Sequence, residues 1–197
     1  MVDDEGRNPW TVLGTERRHD DRFIALEEHR VRDAAGQERP YATVRFKRRG
    51  CVVVPVDAAG GTVLVGQWRF AAGRYSWEVP AGGGRPDEDP EDAARRELGE
   101  EAGLEARRWL ELLRLSVSGA ITDERAVCFA AWGLSPRERR PDPQEVVRVR
   151  RVPFAAAVRM VLAGEVVEAA SVAAILALHA RATRGELPGD LASLLGS

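Results

Sequence analysis

Apolar positions along the chain switch between alternating and helical spacing, and each switch predicts an element. Between residues 10 and 50, short apolar patches (Trp10, Val12 and Leu13; Phe23, Ile24 and Leu26; Val31) alternate with charged residues around a turn at Ala35 and Gly36, which predicts a β-meander of two or three strands. The stretch CVVVPVDAAGGTVLVGQWRF, starting at Cys51, sets two β-branched runs on either side of a Gly-Gly turn, the clearest hairpin signal in the chain. Trp77 to Val79 predicts a short strand. LLRLSVSG, ERAVCFAAWGL and VVRVRRVP predict further strands, the last two separated by the polar, proline-containing loop SPRERRPDPQE. Two alanine-rich segments with apolar residues at helical spacing, FAAAVRMVLAGEV and AASVAAILALHARAT, predict closing helices. Strands before, between and after helices, joined by hairpins rather than regular crossovers, indicate an α+β fold with a mixed sheet sandwiched between helices.

Composition narrows this picture. With 197 residues, 44% apolar and 30% charged, the chain can bury one sizeable core. The expected organisation is an N-terminal meander over 1–48, a main domain over 49–184 and a C-terminal tail over 185–197. Net charge is only -2, and acidic residues are interspersed with the arginine clusters along the chain, so nucleic acid is not expected as the main partner. Cys51 and Cys128 both lie in apolar runs and make neither a disulfide framework nor a zinc site, which suits a reducing cytoplasm. No stretch approaches 18 apolar residues, and the acidic start MVDDEGRNPW lacks the apolar core of a signal peptide, so no membrane association is expected. His19, His29 and His179 are scattered away from any acidic motif and are read as surface or core residues.

One segment carries candidate chemistry: GGGRPDEDPEDAARRELGEEAGL, residues 82 to 104. Asp89 as N-cap, Pro90 at the first helical position and the acidic pair Glu91 and Asp92 make a strong helix start. Gly103 suits a left-handed ending, with Leu104 packing back on Leu98. A helix is therefore predicted from Pro90 to Glu101, with Ala93, Ala94 and Leu98 buried. Glu97, Glu100 and Glu101 then gather in its last turn, at i, i+3 and i+4. Each like-charge pair there costs a few tenths of a kcal/mol, and the helix end adds roughly 0.3–1 kcal/mol for each nearby carboxylate. A divalent cation against that face would reverse the penalty, because hard cations take carboxylate oxygens. On periodicity alone, an exposed acidic surface paired with Arg96 accounts for the pattern equally well.

The wider spacing separates these readings. Gly82, five residues, Glu88, seven residues, then Arg96-Glu97-Leu98-x-Glu100-Glu101-x-Gly103-Leu104 is similar at every fixed position to the Nudix box, and the chain resembles a Nudix hydrolase from the hairpin near Cys51 to the helix near Ala180. The resemblance implies hydrolysis of the pyrophosphate link in a nucleoside diphosphate joined to another moiety, with Mg²⁺ or Mn²⁺. By position it makes Glu97 and Glu101 the principal metal ligands, Glu100 a ligand or its hydrogen-bonding neighbour, and the Ala81 carbonyl a further ligand. Gly82, Glu88, Arg96 and Gly103 are structural, with Arg96 and Glu88 as an ion pair. A base outside the box is implied on a loop before the last strand, where Glu145 falls on the matching place and Glu138 is the alternative. GQWRF and WEVPAG resemble the ADP-ribose and sugar-nucleotide branch, in which Arg69 meets substrate phosphate and Glu78 lies beside the metal site; Arg69 as a simple ion-pair partner of Glu78 stays open.

That branch also implies a homodimer formed through the N-terminal strands, so that Trp10 or Phe23 could stack on a base, although core packing is the expectation for both. One departure is Ser118-Gly119, where ADP-ribose pyrophosphatases carry a proline, usually as Pro-Gly, which brings other nucleoside diphosphate sugars into consideration. Competing readings are a Nudix enzyme of another nucleotide class (dinucleotide, CoA or nucleoside triphosphate) and a non-catalytic ligand sensor, which the intact box disfavours. Gly99, inside the helix, costs about 1 kcal/mol relative to alanine and has no account at this level.

Overall fold

The computed structural model describes residues 8–139 and 147–196, and these divide into two compact units. The first holds β1 (Thr11–Asp20), β2 (Ile24–Arg32) and β3 (Glu38–Phe46), an antiparallel sheet in that order. Its turns follow from acidic side chains that bond their own backbone. Asp21 accepts from the N–H groups of Phe23 and Ile24 (2.7 and 2.8 Å) and Asp33 from those of Ala35 and Gln37 (both 2.9 Å), while Gly36 supplies the positive φ of the second turn. Residues 118–124 belong to the same unit. There Val44 N–H donates to the Ile121 carbonyl (2.8 Å) and Phe46 N–H to Asp123 (2.8 Å).

The core packing expected for Trp10 and Phe23 is corrected here, for they are 39% and 46% exposed. The reason is composition: charged residues fill both faces of these strands, and the described residues of the unit supply no helix to cover them.

The second unit is built on β4 (Arg49–Val56), β5 (Gly61–Arg69), β6 (Arg74–Glu78) and β7 (Ala81–Gly84), then α1 (Pro90–Glu97) and a π-helical turn, Leu98–Ala102. It continues with β8 (Leu104–Ser116), β9 (Arg125–Pro136), β10 (Arg148–Pro153), α2 (Phe154–Leu162), α3 (Ala169–Thr183) and α4 (Gly189–Leu195). The sheet runs β10-β5-β4-β9-β8, with β6 on β5 and β7 on β4; β4 and β9 are parallel and the other pairs antiparallel. This is the mixed sheet between helices that the sequence pattern predicts. The unbroken apolar run of β4 follows from coverage on both sides. Val52, Val54 and Val56 join Ile175, Leu178 and Leu191 in one cluster, whereas Val53 packs with Leu98 and Cys51 with Ala93, Ala94 and Phe129.

Residues 185–197, read as a tail, contain α4. Its Leu191 is fully buried, and the Trp132 indole N–H donates to Asp190 (2.8 Å). Leu191→Ala should therefore cost about 2–5 kcal/mol, read as a lowered Tm in thermal denaturation; an unchanged Tm would show that α4 contributes nothing to the core. No helix among the described residues is long and apolar enough to cross a membrane.

Candidate metal and catalytic site

The site grows from the start and end of α1. Asp89 caps the helix by accepting from Glu91 N–H (2.8 Å). The helix does not continue regularly to Glu101 as predicted. After Glu97 it widens into the π-helical turn, which ends at Gly103 with φ +66°. The stop is thus placed correctly and the last turn is not α-helical. Around this turn Glu97 and Glu101 are buried, while Glu100 remains partly exposed. Leu98 and Leu104 share one apolar cluster, which fixes the turn against the sheet.

β7 lays the glycine loop beside these carboxylates. Gly82, Gly83 and Gly84 pair with Cys51, Gly50 and Arg49 of β4. A Cβ at Gly82 would overlap the Glu97 carboxyl group, so only glycine lets the backbone pass so close to it. One residue earlier, Ala81 N–H donates to the Glu101 carboxylate (2.8 Å). Arg96 ties loop and helix together, donating to Glu97 (2.6 Å), Glu100 (3.1 Å), Glu88 (3.4 Å) and the Gly83 carbonyl (3.3 Å). Burial disfavours its charge, but the field and hydrogen bond of Glu97, with those of Glu88 and Glu100, outweigh that and hold the guanidinium above its ordinary pKa. Glu88 is held below the usual carboxylate range, chiefly by the Arg85 N–H (3.0 Å) and then by Arg96.

The donor chemistry suits a hard divalent cation: carboxylate oxygens, with backbone passing against one of them at Gly82, a space that any side chain would fill. Among the described residues, however, no three acidic, histidine or cysteine side chains already converge to hold an ion. Arg96 brings positive charge to both Glu97 and Glu100 in this arrangement.

Beyond the box, Arg69 at the end of β5 donates through Nε to Glu78 (2.9 Å) and through a second nitrogen to its other oxygen. Glu78 is only 1% exposed, and its hydrogen bond raises the Arg69 pKa further against the opposing effect of burial. Arg69 also lies in the field of Glu101 and Glu168. The pairing left open in the sequence is therefore the one found, and the partly exposed guanidinium still faces outward. Glu145 lies outside the described residues. Glu138 is exposed on the strand-leaving segment after β9.

Two supporting groups escape sequence reasoning. Ser171, fully buried on α3, accepts from the Val79 N–H (3.2 Å) across 92 positions of chain and so fixes the backbone next to Glu78. Arg139 donates to the Glu100 carbonyl (3.4 Å) and to the Val147 carbonyl (3.1 Å). A serine in an alanine-rich helix and an arginine in a charged loop carry no signal of such distant partners. Both cysteines are buried and free; burial pushes Cys51 up and Cys128 up to about 12, which leaves neither thiol a nucleophile near neutral pH.

Comparison with known proteins gives the chain's relatives. The ADP-ribose pyrophosphatase of Mycobacterium tuberculosis is 34% identical over 187 residues, spanning 91% of this chain and 88% of that protein. The ADP-ribose pyrophosphatase of Bacillus subtilis is 35% identical over 132 residues, 66% of this chain and 71% of that one. A crystal structure of an ADP compounds hydrolase superposes with a TM-score of 0.81 at 22% identity, covering 91% of this chain and 98% of that chain, a likeness of fold. The NUDIX domain family matches residues 46–173, the stretch that holds the glycine loop, the helix and its glutamates, and the chain belongs to that family.

Proposed function

We propose that this chain is a divalent-metal-dependent pyrophosphohydrolase that cleaves ADP-ribose or a related nucleoside diphosphate sugar to a nucleoside monophosphate and a sugar phosphate. The observation that carries this reading is the Gly82 loop pressed against Glu97, with Glu101 tethered to Ala81, inside a chain that aligns almost end to end with an ADP-ribose pyrophosphatase. Ser118-Gly119 in place of the branch's proline keeps related sugar nucleotides within the substrate class.

Mg²⁺ or Mn²⁺ is the fitting ion, since both accept carboxylate and carbonyl oxygen. Glu97 and Glu101, with Glu100 and the Ala81 carbonyl, would hold it. When bound, it supplies neutralisation of charge on the phosphate oxygens and acidification of water. The chain's own residues do the rest. Arg96 keeps Glu97 and Glu100 in place, and its contacts with Glu88 and Gly83 hold the loop to the helix. Arg69, fixed by Glu78, presents its remaining N–H groups to the substrate phosphates, where a guanidinium binds in forked geometry. Glu145 takes the proton of the attacking water. We assign the exposed three-stranded sheet, with Trp10 and Phe23, to a homodimer interface, and the protein to the cytoplasm.

The direct test is phosphatase-coupled phosphate release with Mg²⁺ from ADP-ribose, ADP-glucose, GDP-mannose, UDP-glucose, NADH and a nucleoside triphosphate. Turnover of sugar nucleotides is expected. Turnover confined to the triphosphate or to NADH would replace the substrate class. Arg69→Lys, which keeps the charge beside buried Glu78 but loses the fork, should raise KM about tenfold or more with kcat largely retained. An unchanged KM with a lowered Tm would make Arg69 solely the partner of Glu78.

A further inference from the structure

We propose that a cleft beside α1, lined by Arg95, Arg107, Trp109 and Arg137, binds a small phosphate-bearing anion of the size of a phosphomonoester. The cleft encloses about 330 Å³ and also includes Glu105, Ala106 and Ser135. It shares no lining residue with the glutamate site.

Three features give it that chemistry. First, its arginines are unequally engaged. Arg95 is spent locally: it donates to Glu91 (2.6 Å) and to the Ala106 carbonyl (3.2 Å) and stacks over Trp109 at 4.7 Å. The guanidinium groups of Arg107 and Arg137 have no ion-pair partner among the described residues. The one carboxylate of the lining, Glu105, is engaged by the Ser135 hydroxyl (2.9 Å), so positive charge is in excess. Second, both unpaired arginines lie over glycines. A Cβ at Gly99 would meet Arg137 Nη1 at 2.9 Å, and one at Gly133 would meet the Arg107 Cβ at 3.3 Å. Gly99 was the unexplained cost inside the helix, and room for Arg137 is what it provides. Third, the walls are fixed. Trp109 is anchored by its indole N–H on the Ala106 carbonyl (3.2 Å) and by an edge contact with Phe129 at 6.1 Å, so the charges surround a formed concavity. Two fork-shaped donors lining one cleft suit phosphate oxygens, which accept paired N–H groups. Both products of the proposed hydrolysis are phosphomonoesters; that link rests on the proposed function, whereas binding itself does not.

The test is a titration of ¹⁵N-labelled protein with inorganic phosphate and then AMP, in chelator without divalent metal and at constant ionic strength in sodium chloride. The readout is the Trp109 indole N–H resonance, identified by its loss in Trp109→Phe. A saturable shift is expected, with half-saturation raised at least ~10-fold in the double variant Arg107→Ala/Arg137→Ala. These exposed positions should leave the remaining spectrum that of a folded protein. No saturable shift beyond the chloride baseline, or a half-saturation changed less than ~10-fold in the double variant, would overturn the site. No turnover is read, so failure here is distinct from failure of the hydrolase reading.

Discussion

Glu101→Gln is expected to remove turnover while leaving the fold intact. Glu101 is buried, with its carboxylate against the Ala81 N–H and near the loop that passes Glu97. Glutamine keeps an oxygen that can accept that N–H but removes the charge a divalent ion needs. An ion held there would supply several kcal/mol of transition-state stabilisation, so kcat/KM should fall by about 10³-fold or more. Removing one of several crowded carboxylates also relieves repulsion, so Tm should not fall. Near-wild-type turnover with Mg²⁺ would refute the metal role. A loss of activity accompanied by a large fall in Tm would instead place Glu101 among the groups that hold the Ala81 loop.

The second large effect concerns Glu145. Its assignment comes from chain position before the last strand, and the described flanks of its segment add support. Arg139, just before residues 140–146, bonds the Glu100 carbonyl of the π-helical turn and also the Val147 carbonyl just after them. The chain therefore enters and leaves this segment beside Glu100. Glu145→Gln should lower kcat by about 10²-fold or more, the range for loss of a general base, with KM little changed. If kcat stays at the wild-type value and Glu138→Gln lowers it instead, the base is Glu138.

The sequence was most legible where local chemistry alone decides the structure. The Asp89 cap, Pro90, the left-handed Gly103 and the alternation through β4 and β5 each state a local preference, and the fold honours them. It was least legible where distant partners decide. The π-helical turn after Glu97 depends on packing of Leu98 with Val53, Val63 and Leu104 and on the room Gly99 leaves for Arg137. Neither is encoded in helical periodicity. Trp10 and Phe23 read as core because aromatic residues usually bury, but the sheet that carries them lacks a covering layer within its own described residues. α4 was missed because its seven residues are too few for a periodic signal.

At the site, the Glu78 and Arg69 pair was foreseeable as an alternative from opposite charge on neighbouring strands, although the register sets Arg69 opposite Arg74 and Glu78 opposite Val65. The contacts of Ser171 and Arg139 were not, because their partners lie 92 and 39 residues away.

The central claim is that this chain hydrolyses a nucleoside diphosphate sugar with a divalent ion held on the Glu97 and Glu101 face. It is tested most directly by incubating the purified chain with ADP-ribose and Mg²⁺, with and without excess chelator, and measuring AMP and ribose phosphate release. The account predicts equal amounts of both products with Mg²⁺, abolished by chelator and restored by added Mg²⁺ or Mn²⁺. Product release that is unaffected by chelator, or products other than these two, would contradict it.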